Sequence, residues 1–172
     1  MGKKNITFNG NQITLIGTEI RVGEKAPNFK GVKQNLEEFD FYEETGTNIK
    51  IISAAPSLDT KVCSEQALKF DKLSMEFGYE VLVINITADL PYAQQKFCTS
   101  NNISNISIIS DHKYLDFGGK YGFVIKEMRM LSRGVVVVDK NNIVKYVEYV
   151  DEITNNVDFD KVKKIIKETK QN

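Results

Sequence analysis

The longest apolar runs of the chain are short, rich in Ile and Val, and bounded by turn residues. This pattern is typical of strands that are buried on both faces of a sheet. Four such runs occupy residues 49–55, 81–86, 106–109 and 135–138. Pro56 ends the first run, because proline has no amide hydrogen with which to continue a strand ladder. The sequence therefore predicts a sheet with four buried strands.

Helical patterns fill two of the intervals between these strands. After the first run, residues spaced three and four apart fall on one helical face, and Gly78 ends the helix; they are Cys63, Ala67, Phe70, Leu73 and Phe77. A shorter helix is predicted from Pro91, a residue that suits the first helical turn, and it carries Cys98 near its end. The order strand, helix, strand predicts a crossover connection and a parallel sheet.

Two hairpins are predicted at the ends of this pattern. Residues 5–8 and 12–16 flank Asn9-Gly10, a dipeptide that readily adopts the positive φ angles of a tight turn. The run at 135–138 is followed by a polar turn and by a second strand pattern at 143–149. These two strands are predicted to pair antiparallel at the sheet.

Three further segments complete the prediction. Residues 115–121 predict a short helix interrupted by Gly118-Gly119, and an amphipathic helix from Asp158 is predicted to pack against the surface. Residues 36–42 fit either a short strand or a turn. The sequence shows no repeat and no change of composition. We therefore expect one α/β domain over residues 1–172, with a central mixed sheet flanked by helices.

Charge and composition narrow the classes of function. The 172 residues contain 23 Lys plus Arg and 23 Asp plus Glu, so no net charge attracts nucleic acid or an anionic membrane. No apolar stretch approaches the roughly 20 residues of a membrane helix. We expect a cytoplasmic protein whose partners are small molecules or other proteins. Two cysteines in such a compartment are a candidate redox pair rather than a structural framework.

The candidate chemistry lies at the start of the first helix. With Thr60 as the N-cap, Cys63 becomes the third helical residue, beside free backbone N–H groups that favour a thiolate. A helix terminus contributes about 0.3–1 kcal/mol, whereas one pKa unit requires about 1.36 kcal/mol, so a cation is needed as well. Lys61 is flexible. Arg133 is the better candidate, because it is always charged and carries a rigid fork of donors.

Six sequence motifs together match a known family. They are P-S-L-D-T-K-V-C (56–63), A-D-L-P-Y-A-Q-Q-K-F-C (88–98), S-D-H (110–112), Y-G (121–122), R-G-V-V-V-V-D (133–139) and V-D-E-I-T (150–154). Over nearly the whole chain they resemble the bacterial thiol peroxidases, an atypical 2-Cys branch of the peroxiredoxins. The resemblance implies a thioredoxin-like fold with an added N-terminal β-hairpin. The chain departs from the usual pattern at Ala55 and at Lys61, where glycine is common, and neither position has a chemical role.

The resemblance also implies a role for each site residue. Cys63 resembles the peroxidatic cysteine, activated by Thr60 and Arg133 and shielded by Pro56, and Cys98 resembles the resolving cysteine. Hydrogen peroxide or an alkyl hydroperoxide would oxidise Cys63 to a sulfenic acid, which Cys98 would convert to an intramolecular disulfide that thioredoxin reduces. A disulfide requires Cα atoms within about 7 Å, so we expect local unwinding if the helices hold the thiols farther apart. The family implies a homodimer and no cofactor or metal.

The residues by themselves leave other interpretations open. Cys63 could be a small buried hydrophobic residue, Cys98 an inert thiol in an enzyme resolved by an outside thiol, and Arg133 a member of a surface ion pair. His112 and two distant cysteines do not predict a zinc site. The absence of a C-x-x-C motif argues against a disulfide reductase. A redox sensor or holdase on the same fold would use the same disulfide as a signal.

Overall fold

The computed structural model describes residues 5–172. In chain order its elements are β1 (Ile6–Phe8), β2 (Asn11–Ile13), β3 (Leu15–Ile16), β4 (Lys30–Val32), β5 (Glu38–Asp40), α1 (Phe41–Thr45), β6 (Ile49–Ala54), α2 (Lys61–Phe77), β7 (Val81–Thr87), α3 (Pro91–Asn101), β8 (Ser107–Ser110), α4 (Asp116–Tyr121), β9 (Val124–Ile125), β10 (Met130–Leu131), β11 (Gly134–Val138), β12 (Val144–Tyr149) and α5 (Phe159–Gln171).

A seven-stranded mixed sheet forms the centre of the molecule, in the order β12-β11-β6-β7-β8-β4-β5. The β6–β7 and β7–β8 pairs are parallel, and β11 pairs antiparallel with both β6 and β12. All residues of β6 and β11 are buried, which explains why these strands are apolar apart from Lys50 and Ser53. The predicted buried strands, their parallel core and the antiparallel hairpin at the end are confirmed.

Alternate residues of each central strand pack on opposite faces of this sheet. Ile52, Ile84 and Val136 pack against the N-terminal hairpin and α4, together with an aromatic cluster around Phe117 and Tyr121. Neighbouring positions on the same strands, among them Ile51, Val83 and Val137, face α2 and α5 on the other side. Two apolar cores therefore fix the central strands from both sides, and the ends of those strands become a rigid base for side chains.

The N-terminal hairpin is confirmed in part. β1 and β2 pair antiparallel, and Asn9 and Gly10 adopt the expected positive φ angles of 50° and 77°. The predicted second arm at 12–16 is too long, because the chain leaves the hairpin after Ile13. Residues Leu15–Ile16 instead pair with β9 in a separate three-stranded sheet.

The predicted interruption of the helix at residues 115–121 is wrong. α4 runs without a break from Asp116 through both glycines to Tyr121. A Cβ atom on Gly118 would lie 2.6 Å from the Val124 side chain and 2.7 Å from the Leu131 side chain. Gly118 therefore serves close packing of the helix on its neighbours and does not end it.

The ambiguous segment at 36–42 contains both a strand and the start of a helix. β5 ends at Asp40, whose carboxylate caps α1 by accepting a hydrogen bond of 3.1 Å from the Glu43 amide. The sequence patterns did not predict α1 or the short strands β4, β9 and β10. Within the described residues, no helix is both long and apolar enough to cross a membrane.

Candidate active site

The peroxidatic candidate lies where β6 gives way to α2. Thr60 is the N-cap of α2 with an extended backbone, so Cys63 is the third helical residue, as the sequence predicted. The Cys63 side chain points into the protein and is completely buried. Its sulfur is therefore close to the free N–H groups of the first helical turn, at the positive end of the helix.

Arg133 contacts this sulfur directly. Its Nη2 donates a hydrogen bond to the Cys63 Sγ at 3.1 Å, and Arg133 is only 2% exposed. The register of the sheet explains the meeting: Gly134, the first residue of β11, lies opposite Ala54, the last residue of β6. An always-charged guanidinium with a rigid fork of donors is thus in direct contact with the sulfur. Arg133 is not the surface arginine of the alternative interpretation.

Two further guanidinium hydrogens hold Arg133 in place. Its Nε donates to the Ile153 carbonyl oxygen and its Nη1 to the Gln66 Oε1, each at 2.7 Å. Gln66 is itself fully buried, and its Nε2 donates to Ser53 Oγ at 2.7 Å and to the Ala54 carbonyl oxygen at 3.1 Å. The amide thus fixes the angle of the guanidinium relative to the sulfur.

Gln66 was missed by the sequence analysis. A usable signal was present, because Gln66 lies three residues after Cys63 and so shares the buried face of a helix whose other buried positions are apolar except for Asp71. The hydrogen bonds continue from Ser53 Oγ to Asn85 Oδ1 at 3.1 Å. We call Cys63, Arg133, Gln66, Ser53 and Asn85 the buried polar chain. Among the described residues, Asn85 Nδ2 has no hydrogen-bond partner.

The N-terminal hairpin supports the same site from outside. Glu152 accepts hydrogen bonds from Thr7 Oγ1 at 2.7 Å and from the Gly10 amide at 3.0 Å. These bonds lower the pKa of Glu152 to about 2, with the Thr7 hydroxyl as the largest cause. The next residue, Ile153, donates its amide to the Thr7 carbonyl oxygen at 2.9 Å and offers its own carbonyl to Arg133. The hairpin therefore fixes one of the three groups that orient the arginine.

Thr60 and Pro56 occupy different positions relative to the sulfur. Thr60 is exposed, and its hydroxyl donates to the Ser57 carbonyl oxygen at 2.9 Å instead of capping the helix. Pro56 is buried at the end of β6. Within residues 5–172, Arg133 is the predicted partner that makes a hydrogen bond to the Cys63 sulfur, and the Thr60 hydroxyl is not.

Cys98 has a different environment near the end of α3. It is half-buried, and its sulfur accepts a hydrogen bond of 3.2 Å from Gln34 Nε2. Burial raises the pKa of the Cys98 thiol, the Gln34 hydrogen bond opposes this increase, and the Asp71 carboxylate adds to it. Both cysteines are free thiols.

The chain is similar to known proteins over most of its length. The Redoxin family matches residues 21–166. A thiol peroxidase of Oceanobacillus iheyensis is 41% identical over 158 residues, which cover 92% of this chain and 95% of the relative. A thiol peroxidase of Bacillus subtilis is 42% identical over 156 residues, with 91% and 92% of the two chains covered. The chain belongs to the thiol peroxidase family.

Solved structures show the same fold. A peroxiredoxin-like protein from Aquifex aeolicus has a TM-score of 0.89 and 35% identity, with 96% of this chain and 97% of that chain covered. A thiol peroxidase from Chromobacterium violaceum has a TM-score of 0.86 at 23% identity, with the same shares covered, which supports the fold alone. The fold is thioredoxin-like, as the resemblance implied.

In this member of the thiol peroxidase family, the helix that carries Cys98 is held unevenly. Pro91 and Gln94, both in its first half, are the buried residues of α3. Gln94 Nε2 donates to Thr87 Oγ1 at 3.1 Å and to the Ile109 carbonyl oxygen at 3.0 Å. The second half of α3 contributes only half-buried apolar side chains to a small satellite cluster. Its first half is anchored to the sheet by buried residues, and its second half packs against the sheet only through partly buried side chains.

A second tie joins the start of α3 to the loop before α2. Asp89 accepts hydrogen bonds from Ser57 Oγ at 2.7 Å, from the Leu58 amide at 2.8 Å and from Thr87 Oγ1 at 2.8 Å.

His112 lies 2.8 Å from Ser110 Oγ. No group of three or more metal-ligating side chains occurs in the part of the chain that the structure describes.

Proposed function

We propose that the chain reduces hydrogen peroxide and alkyl hydroperoxides by attack of the Cys63 thiolate. The observation that carries this proposal is the buried 3.1 Å contact between Arg133 Nη2 and the Cys63 Sγ. A fixed cation stabilises the thiolate, and the same guanidinium has donors for an oxygen that gains negative charge during the reaction. Membership of the thiol peroxidase family supports the same chemistry.

In the first step the thiolate attacks the terminal oxygen of the hydroperoxide. The S–O bond forms as the O–O bond breaks, and the departing alkoxide or hydroxide takes up a proton and leaves as alcohol or water. The Thr60 hydroxyl donates its hydrogen bond to the Ser57 carbonyl oxygen, so it can meet the peroxide only as an acceptor, through its lone pairs. Thr60 then accepts the hydrogen bond of the peroxide O–H, while Arg133 stabilises the charge on the leaving oxygen. Pro56 closes the base of the site and limits access of water.

In the second step Cys98 resolves the sulfenic acid. Its thiol attacks Cys63, an S–S bond forms, and the hydroxyl group of the sulfenic acid leaves with the thiol proton as water. A thioredoxin reduces this intramolecular disulfide by thiol–disulfide exchange and becomes oxidised itself. The loosely held second half of α3 supports the motion that this step needs. We further propose that the protein acts in the cytoplasm as a homodimer without a cofactor.

Steady turnover tests this proposal. The reduced protein is mixed with cumene hydroperoxide, thioredoxin, thioredoxin reductase and NADPH, and NADPH consumption is followed. We expect sustained turnover in the wild type and none in Cys63→Ser. A single oxidation per chain without turnover would favour a sensor and contradict the peroxidase.

The role of Cys98 needs its own variant. Cys98→Ser is expected to consume one peroxide per chain and then to stop, because no disulfide is available to thioredoxin. Ser100→Ala, an exposed change on the same helix, is the matched control and should turn over as the wild type does. If Cys98→Ser kept thioredoxin-dependent turnover, Cys98 would not be part of the cycle.

A further inference from the structure

Gln34 lies outside the six family motifs and contacts the sulfur that resolves the sulfenic acid. It follows β4, is half-buried, and donates its Nε2 hydrogen to the Cys98 Sγ at 3.2 Å. Its side chain also lines a cavity of about 340 Å³, together with Ile106 and Ile108. The cavity leaves the Gln34 side chain space in which to rotate away from the sulfur.

The two sulfurs are held by residues from two strands that flank the parallel core of the sheet. Arg133, at the start of β11, holds the Cys63 Sγ, and Gln34, at the end of β4, holds the Cys98 Sγ. β6, β7 and β8 lie between β11 and β4 in the sheet. A disulfide requires the two sulfurs to approach to about 2.05 Å. Movement of Cys98 toward Cys63 is therefore movement away from Gln34, whose strand is fixed by its pairing with β5 and β8.

The loop after α3 is tied to Asp71 through Ser104 and Asn105, but the Cys98 end of the helix itself has few restraints. The anchored residues of this helix, Pro91 and Gln94, lie in its first half. Around Cys98 the packing consists of the satellite cluster, whose fully buried members are Leu58, Ala67 and Ile108. Gln34 supplies the hydrogen bond to the Cys98 sulfur itself. We therefore expect this single hydrogen bond to have a measurable effect on the equilibrium between the docked and the released Cys98 thiol.

We propose that Gln34 is a positioning residue of the resolution step, whose amide holds the Cys98 thiol in a docked position that must open before the Cys63–Cys98 disulfide forms. This inference rests on the proposed function, in which Cys98 is the resolving cysteine. Opening breaks the contact between Gln34 and the sulfur and frees the last turns of α3. The thiol then attacks the Cys63 sulfenic acid, and water leaves. The contact lengthens the lifetime of the sulfenic acid.

Single-turnover kinetics of Gln34→Ala and Gln34→Met test the proposal. The reduced proteins receive one equivalent of hydrogen peroxide, the reaction is quenched with acid, and intact masses separate sulfenic acid from disulfide. We expect an unchanged rate of Cys63 oxidation and disulfide formation about two- to fivefold faster in both variants, which corresponds to about 0.5–1 kcal/mol for one hydrogen bond. Asn35→Ala changes the next residue of the same cavity wall and should behave as the wild type does.

Alkylation of Cys98 gives a second readout in the reduced state. In a Cys63→Ser background, a Gln34→Ala change should raise the rate at which iodoacetamide modifies Cys98 by the same two- to fivefold, because the docked thiol opens more often. A purely structural role of Gln34 would also lower the melting temperature and slow Cys63 oxidation, and we expect neither.

The sign of the kinetic effect decides the question. The Gln34 hydrogen bond also favours the Cys98 thiolate, so an activating role would make disulfide formation slower in the Gln34 variants. A slower or unchanged rate overturns the proposal. Failure of the proposed function has a different result, because the wild type would then form no Cys63–Cys98 disulfide at all.

Discussion

The two cysteines of this protein differ in how firmly the fold holds them. Cys63 is completely buried and receives a hydrogen bond from an arginine that the Ile153 carbonyl and the Gln66 side chain keep in place. Cys98 is half-buried near the end of a helix whose second half packs only against a small cluster. A buried guanidinium contacts the Cys63 sulfur, whereas burial raises the pKa of the Cys98 thiol.

This difference matches the two chemical tasks proposed for the cysteines. Attack on a peroxide requires a nucleophile and a charge-stabilising donor in fixed relative positions, because misplacement by about 1 Å can reduce a rate about 10²-fold. Resolution requires the second thiol to travel, and a segment that moves must come from the less stable part of a structure. The sheet therefore fixes the reacting atom, and a loosely packed helix carries the atom that must move.

Loss of Arg133 should have the largest effect on the difference between the two cysteines. We expect Arg133→Met to slow Cys63 oxidation by about 10²–10³-fold, the usual result of removing a donor from a developing oxyanion. Alkylation of Cys98 should remain unchanged. Arg133→Lys keeps the charge without the rigid fork, so its rate of Cys63 oxidation should lie between those of Arg133→Met and the wild type. Stopped-flow oxidation with circular dichroism as a folding check measures this, and a loss below about threefold would contradict the role of the arginine.

The pH dependence of disulfide formation should follow Cys98. Because burial raises the pKa of this thiol above its ordinary value, the docked thiol remains protonated at neutral pH. The rate of disulfide formation should therefore increase about tenfold per pH unit from pH 7 to pH 9, as the thiolate population grows. Quenched single-turnover reactions measure this. A plateau below about pH 8.5, the value of a free thiol, would contradict a raised pKa.

Substitution of Gln66 should affect only the reaction of Cys63, the firmly held cysteine, and by a smaller factor. Gln66→Met fills a similar volume but leaves Arg133 Nη1 and Ser53 Oγ without their amide partner. Loss of about 1–2 kcal/mol of the hydrogen-bond energy that positions Arg133 should make Cys63 oxidation about 5- to 30-fold slower. The rate of Cys98 alkylation should remain unchanged. Glu65→Met, at an exposed neighbouring position, is the control. Equal rates in the two variants would remove Gln66 from the site.

Lys61 should have the smallest effect. Its side chain is exposed at the first position of α2, where solvent and salt screen its charge. Lys61→Met is expected to change the rate of Cys63 oxidation by less than about twofold at physiological ionic strength. A larger loss, measured by the same stopped-flow method, would show that the sulfur depends on two cations.

Much of the fold could be predicted from local patterns. The Ile- and Val-rich runs define β6, β7, β8 and β11, because strands covered on both faces are mostly apolar. Short strands such as β4 and β9 carry no such signal, since they are only two or three residues long and depend on their neighbours. α4 continues through Gly118 because tertiary packing needs a small residue there, which outweighs the low helix propensity of glycine.

The site could be predicted only where a residue type carries the chemistry. Cys63 at the third helical position follows from the spacing to Thr60, and Arg133 from the charge that the thiolate needs. The direction of the Thr60 hydroxyl toward Ser57 is a property of the loop backbone and leaves no trace in the sequence. The contact between Gln34 and Cys98 depends on the position of β4 in the sheet, which connects residues far apart along the chain.

Asn85, the last member of the buried polar chain, affects stability and catalysis in opposite directions. Its Nδ2 has no hydrogen-bond partner among residues 5–172, and an unpaired buried donor costs about 1–3 kcal/mol. Selection for heat resistance alone would favour an apolar residue at this position. Such a protein would melt later, but Ser53 would lose its acceptor and the amide that orients Arg133 would loosen. Adaptation to high temperature and speed of catalysis are therefore opposed at a residue that touches neither peroxide nor cysteine.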